Sequence, residues 1–355
     1  MDLLSYKDLK RKVWDTEKCC GCGACVGVCP TEALYFDEEP SHPKSNDYCK
    51  VTRDDVPCAA CYYACPRADE ICSDGFGNII SIYESKSKSD VSDAQSGGVV
   101  SSVLAAAFES NSIDGAIVMG VDKWTQSSQP AFVQTSDAVF KTAGSRYVWA
   151  PILKALREAI SDRKLHKIAI VGTPCVTSAV GRIRQSNVDV LSIYKNAIRV
   201  SFGLFCTEIF TDDLLGELQI SHGIQPWEIS GFDVKGKFIV KLRDQTTLEL
   251  PLKDLRKSKR SGCEHCVDFT SEDADLSFGS VGASPRHTVV IVRTDVGEGF
   301  LKLAQRLGYI ELSSGVDIAP IARIAAKKKG LRVEEALSLL KEHANSGKAS
   351  STKTE

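Results

Sequence analysis

The sequence has no run of about eighteen apolar residues, the least a membrane-spanning helix requires, so no spanning segment is expected. Its first residues, Met1 to Lys7, are polar and lack the apolar core of a signal peptide, which points to a cytoplasmic chain. Neither charge is in excess. The 44 Lys and Arg against 46 Asp and Glu leave a net charge of −2, which argues against a nucleic-acid footprint over the whole surface. No Gly-x-Gly-x-x-Gly follows a strand-like run, which weighs against a nicotinamide cofactor. The six histidines offer no convincing ligand set, and His265, between two cysteines, reads as a spacer.

What is abundant is cysteine. Of fourteen, ten fall between residues 19 and 72 at tight spacing. In a long chain without an export signal this favours metal ligation in a reducing compartment over disulfides. Composition is otherwise globular, at 43% apolar and 25% charged residues.

Cys19, Cys22, Cys25 and Cys29 follow C-x2-C-x2-C-x3-C, and Pro30 comes next. That spacing is the run of bacterial ferredoxins: three thiolates wrap one iron–sulfur cube and the fourth serves another. Gly21 and Gly23 let the backbone turn sharply around the cluster. A second half-motif, Cys58-x2-Cys61-x3-Cys65-Pro66, lacks one cysteine, and Cys49 is the natural replacement, with Cys72 as its rival. One cube is therefore expected on Cys19, Cys22, Cys25 and Cys65, and the other on Cys29, Cys49, Cys58 and Cys61. Zinc prefers two knuckle pairs and does not call for the triple run ending in Cys-Pro.

Four cysteines remain. Cys175 and Cys206 each sit just past a strand-like run, and Cys263 and Cys266 form a C-x2-C. Singly, the first two read equally well as buried core cysteines. Together the four suit a third cube or a tetrahedral zinc. Cys20 and Cys72 are left as spares.

The expected fold class is α+β. A two-cluster ferredoxin domain over 1–82 is followed by a Ser- and Lys-rich linker over 83–95. An α/β domain with an antiparallel appendage spans 96–342, and a disordered tail 343–355. Ser96-Gly97-Gly98 opens an apolar helix through Phe108. Gly115–Val121, Lys167–Val171 and Arg199–Phe205 read as buried strands, Phe238–Leu250 as a hairpin, and Trp149–Arg163 as a helix.

These segments resemble the family of coenzyme F420-reducing hydrogenase beta subunits. That family also includes the beta subunit of F420-dependent formate dehydrogenase and the input subunit of archaeal dehydrogenase complexes that use reduced F420. The likeness rests on Ser96-Gly97-Gly98, Lys141-Thr142-Ala143-Gly144-Ser145-Arg146-Tyr147, Gly172-Thr173-Pro174-Cys175 and Gly203-Leu204-Phe205-Cys206-Thr207-Glu208. It continues through Ser261-Gly262-Cys263-x2-Cys266 to Ala274-Asp275-Leu276-Ser277-Phe278-Gly279, covering roughly residues 90 to 300. The ferredoxin extension looks like the dehydrogenase-type members. The family's usual glycine-rich stretch after the last motif reads Val281-Gly282-Ala283-Ser284-Pro285-Arg286-His287 here.

The resemblance implies one FAD, a 4Fe–4S cluster on Cys175, Cys206, Cys263 and Cys266, and coenzyme F420 as substrate. Expected flavin contacts are Ser96, Gly97 and Gly98 at a helix start, with Lys141, Ser145 and Arg146, and more weakly Ser277, Gly279 and Ser280. The basic run Lys253, Arg256, Lys257, Lys259, Arg260 would guide the anionic coenzyme or dock an acidic partner, or simply be a solvated face. A deazaflavin moves electrons in pairs and a cube singly, so a flavin must stand between them. The expected partners are other subunits of a redox complex: a membrane dehydrogenase on which the chain would sit peripherally, a heterodisulfide reductase, a hydrogenase or a sulfite reductase module. A relay subunit without its own hydride site, and a flavoprotein with another two-electron donor, are the competing readings.

Overall fold

The computed structural model describes residues 3–37, 41–69, 75–89, 91 and 94–350, with side chains to residue 342. Cys72, the rival of Cys49, lies outside the described residues.

The N-terminal segment is compact around its cysteines. Ser5 caps the first turn, its hydroxyl accepting from the Lys7 N–H while Asp8 reaches back to the Ser5 N–H. Two short helices, Ala24–Gly27 and Ala60–Tyr63, lie inside the two half-motifs and carry Cys25 and Cys61. A small ribbon pairs β1 (Leu34–Tyr35) with β2 (Lys44–Ser45).

The rest of the chain is built on a mixed sheet of eight strands. In chain order these are β3 (Ser81–Ser87), β4 (Gly115–Val121), β5 (Ser128–Val133), β6 (Ile168–Gly172) and β7 (Ile198–Leu204), then, past the appendage, β11 (Leu276–Gly279), β12 (Thr288–Val292) and β13 (Ile310–Ser313). Across the sheet they run β13-β3-β12-β11-β7-β6-β4-β5. The middle strands β4, β6, β7 and β11 are parallel. β6 and β12 are buried along their whole length, as near-continuous apolar runs covered on both faces should be. Alternation sorts the side chains: Ile117, Ile168 and Ile170 face one core with the helix Pro174–Gln185. Ala116, Val118, Ala169 and Val171 face the other, with the helices Val99–Glu109 and Asp295–Arg306. The appendage, β8 (Ile229–Val234), β9 (Phe238–Leu242) and β10 (Thr247–Leu250), is an antiparallel sheet over its own core.

Three expectations change. The stretch read as a linker begins inside β3, which is paired on one side with β12 and on the other with β13. Its polar residues are satisfied within the fold: Ser85 donates to Glu311 O at 2.8 Å, and the Glu84 carboxylate accepts the Ser284 N–H. The boundary with the ferredoxin segment therefore lies earlier, since Phe76 and Ile79 already pack in the core under β12. Trp149–Arg163 is helical over 152–162, but irregularly so, opening as a 3-10 turn at Ile152–Ala155 and closing as a wide turn at Glu158–Asp162, with the Leu153 N–H of its first turn donating to Cys22 O at 2.9 Å. The last helix, Val333–Ser350, enters the stretch expected to be a disordered tail, while residues 351–355 lie outside the described residues.

The ferredoxin segment is fused to the α/β domain. Cys20, Cys22, Ala24, Val28, Ala60 and Ala64 share a core with Ile117, Ile152 and Leu156. Backbone meets backbone at this joint. A Cβ on Gly27 would stand 2.1 Å from Leu153 O, and one on Gly262 would stand 2.2 Å from Cys19 O.

Candidate metal centres and the carboxyl edge of the sheet

Gly21 and Gly23 adopt φ of 71° and 84°, the left-handed turns that bend the first run back over its cysteines. Cys25 lies within electrostatic reach of Cys65, Cys19, Cys61 and Cys20, and Cys22 of Cys25, so the cysteines of the two half-motifs gather around Cys25; among the described residues no three of them are close enough to hold a single metal ion. In the second half-motif Ala59 stands where Gly23 stands in the first, also left-handed at φ 55°. Cys29, Cys49, Cys58 and Cys61 line one cavity together. Cys49 is thus brought to the second set, while Cys72 has no described position.

Burial pushes the thiols of Cys19 and Cys65 up to about 11 and about 12, and raises Cys25 and Cys61 as well. Thiols so placed are poor anions by themselves, and a metal is what would hold them as thiolates. Backbone donors already point at sulfur, as cluster ligands require: the Ala33 N–H reaches Cys29 Sγ at 3.3 Å. The donor set fits iron–sulfur clusters.

The third set is assembled by the sheet. β6 and β7 are adjacent and parallel, so the residues beyond their carboxyl ends meet, and these carry Cys175 and Cys206. The turn Ser261–Cys263 brings Cys263 and Cys266 to the same place. Cys206 lies within reach of Cys263 and Cys266, and Cys175 of Cys266.

Cys20, read as a spare, occupies the joint between two sets. Its buried thiol lies within electrostatic reach of Cys22 and Cys175, one from each set.

Two cations flank the third set. Lys328, in the last turn of the helix Ile318–Lys329, donates to Cys206 O at 3.0 Å, Thr207 O at 3.1 Å and Cys266 Sγ at 3.3 Å. Arg67 donates to His265 O at 3.0 Å and lies near Cys20, Cys266 and Cys175. Arg67 could have been noticed from its place directly after Cys65-Pro66. Lys328, in a Lys-Lys-Lys helix end, gave no sequence signal.

The flavin candidates divide. Strand β3 runs parallel to β11, so the Ser96-Gly97-Gly98 turn beyond it lies at the same carboxyl edge as Cys175 and Cys206. Its Gly97 N–H is committed to Thr288 Oγ1 at 3.1 Å, and Gly98, at φ 71°, starts the helix Val99–Glu109. Gln95 ties this turn to the 141–147 segment, donating to Tyr147 Oη at 2.7 Å and to the Asp233 carboxylate. Burial would raise Asp233, but Gln95, Lys241 and Lys235 hold it below the usual carboxylate value. Lys141 is exposed and Ser145 half-buried, while the Arg146 guanidinium turns back to Ala143 O at 3.0 Å.

Ser277 and Gly279 have packing roles. The Ser277 hydroxyl donates to Ser271 O at 3.0 Å and accepts from Arg293 Nε at 2.6 Å. A Cβ on Gly279 would stand 2.0 Å from the Phe205 ring. The basic run is also partly consumed. Arg260 is buried, stacked at 4.1 Å over Trp149 and donating to Ser41 O at 2.7 Å, and Lys259 pairs with Glu208 at 3.5 Å.

With this geometry in view, the chain can be set beside known proteins. Residues 82–157 match the family described as coenzyme F420 hydrogenase/dehydrogenase, beta subunit N-term, and residues 165–317 match its C-terminus counterpart. Residues 12–35 match the 4Fe-4S binding domain. A subunit of the F(420)H(2) dehydrogenase of Methanosarcina mazei is 33% identical over 81% of this chain and 82% of its own length. The coenzyme F420-dependent sulfite reductase of Methanocaldococcus jannaschii is 34% identical over 91% of this chain, which spans only 51% of that protein. Among solved structures, a chain of the F420-reducing NiFe hydrogenase complex from Methanosarcina barkeri superposes with a TM-score of 0.67 at 25% identity, over 76% of this chain and 94% of that one. Among the described residues no helix is long and apolar enough to cross a membrane.

Proposed function

The chain belongs to the family of coenzyme F420 hydrogenase/dehydrogenase beta subunits, and on that premise we propose that it is an oxidoreductase subunit linking coenzyme F420 to single-electron carriers. In this reading it exchanges hydride with F420 through FAD, and passes electrons to or from a partner through three 4Fe–4S clusters. The observation that carries the reading is the meeting of Cys175, Cys206, Cys263 and Cys266 at the carboxyl edge of the sheet, the edge that also carries the Ser96-Gly97-Gly98 turn.

A bound flavin exchanges electron pairs with a deazaflavin and single electrons with a cluster. The chain's own residues do the rest. Ser96, Gly97, Gly98, Lys141, Ser145 and Arg146 are the candidates to hold the flavin, with Gln95 and Tyr147 fixing the turn. The cysteine contacts give an order. The third set adjoins the first through Cys20, and the first adjoins the second where Cys61 comes within reach of Cys25 and Cys65. The second set lines a cavity with the half-buried Leu4, Lys50 and Ala59, next to the exposed stretch 53–57, and would be the port to the partner. That partner is another component of a redox complex, such as a membrane dehydrogenase, hydrogenase, heterodisulfide reductase or sulfite reductase module. The setting is cytoplasmic, with any membrane association through that partner.

The test is oxidation of reduced F420 by the anaerobically purified, FAD-loaded chain with a one-electron dye, using NADH as control. Oxidation of F420 and not of NADH is expected. If flavin and about twelve irons are bound and neither donor reacts, the chain is a relay without a hydride site.

A further inference from the structure

We propose that Lys328 raises the reduction potential of the cluster held by Cys175, Cys206, Cys263 and Cys266. The inference rests on the reading of these cysteines as a 4Fe–4S site and adds a residue that tunes it. Lys328 lies on the helix Ile318–Lys329, past residue 317 where the match to the family model ends.

The geometry is specific. The Lys328 ammonium has three donors, and three acceptors meet it: the carbonyls of Cys206 and Thr207, at 3.0 and 3.1 Å, and Cys266 Sγ at 3.3 Å. The helix places it there and not its neighbours. Lys327 is exposed, and Lys329 is turned to Glu272 at 2.7 Å. The other groups facing the set are Arg67, whose guanidinium is held by His265 O, and Asp268, whose carboxylate accepts the N–H groups of Ser271 and Glu272.

Reduction adds one electron, and so one negative charge, to a cluster whose ligand sulfurs share it. A fixed cation donating an N–H to one of those sulfurs stabilises the reduced form more than the oxidised form. The contact to Cys266 is part-buried, so it is screened less than a pair on the open surface. Lys328 touches a ligand of this set and carbonyls beside it, so its effect falls on one cluster of three.

The experiment is a potentiometric titration of the full, anaerobically reconstituted chain with dithionite and mediators, read by electron paramagnetic resonance, with iron content measured on the same samples. Lys328→Met keeps the length of the side chain and removes its charge. One of the three reduction potentials is expected to fall by at least a tenfold change in equilibrium constant, about 59 mV for a one-electron couple. The other two potentials, and all three in Lys327→Met, stay at wild-type values. Lys328→Arg keeps the cation and stays close to wild type. Full iron in Lys328→Met with all three potentials unmoved overturns the proposal. Should Lys328→Met lose about four irons, Lys328→Arg decides, since a fall there despite a retained cation overturns the charge argument. A wild-type chain holding only about eight irons would overturn the third cluster, and this proposal with it.

Discussion

Replacing Gly262 by alanine tests the joint between the ferredoxin segment and the sheet. A Cβ at that position would stand 2.2 Å from Cys19 O, 2.6 Å from Cys19 C and 2.9 Å from Cys20 N. All three are backbone atoms, so no rotamer change relieves the contact. The loop they belong to is itself pinned, because Trp149 Nε1 donates to Gly21 O at 3.0 Å and the Leu153 N–H to Cys22 O at 2.9 Å. Overpacking of this kind costs about 1–3 kcal/mol, and an immobile neighbour puts the cost at the upper end. The contact lies between the first and third cysteine sets, so the strain falls where their clusters would adjoin. Gly216 is the matched control. It lies in the helix Asp213–His222 with nothing within 4 Å of its Cβ position. Alanine there should stabilise by roughly 0.5–1 kcal/mol, the ordinary helix preference. The assay is the apparent melting point of the anaerobic holoprotein, with iron content determined in parallel. Gly262→Ala should melt several degrees lower and Gly216→Ala slightly higher. Gly262→Ala melting at or above wild type with full iron would refute the close approach.

Other outcomes follow from single sites. Cys49→Ala should lose about four irons, whereas Cys72→Ala should keep the wild-type content. Ala59→Gly should stabilise the chain by about 1 kcal/mol, since Ala59 sits at φ 55°, where a side chain is strained, and a denaturation midpoint at or below wild type would contradict this. Asp275 accepts from Arg184, from the Ser201 N–H and hydroxyl, and from Thr294, with only 5% of its side chain exposed. Asp275→Ala should therefore cost about 3–5 kcal/mol by stranding Arg184, read as a lowered midpoint in urea.

The parts of the molecule legible in the sequence are those whose spacing is their chemistry. Cys19, Cys22, Cys25 and Cys29 announce a cluster because a short covalent tether must reach several irons. Gly115–Val121 is a continuous apolar run, which only a buried strand accommodates at that length, and it is β4. Strand β3 was hidden because its fitness for the sheet comes from partners far along the chain. Ser87 shares a hydrogen bond with Ser102 at 2.8 Å and Ser85 reaches Glu311 O, and neither contact leaves a local pattern. Arg260 looked like surface charge by composition. It is buried because a Trp149 face and the Ser41 carbonyl await it, which no run of residues encodes. The same holds for Cys20 and Lys328, whose meaning depends on the sheet edge to which they are brought.

The central claim is that this chain turns an electron pair from F420 into single electrons on its own cysteine-held clusters. The direct measurement mixes reduced F420 anaerobically with the oxidised, FAD-loaded chain, with no dye and no partner. Deazaflavin absorbance and the paramagnetic signal of reduced clusters are followed in the same samples. The account predicts that oxidation of F420 and the appearance of reduced-cluster signal rise together, and that both fail when F420 is replaced by NADH. With flavin and about twelve irons bound, unchanged F420 and silent clusters would contradict it.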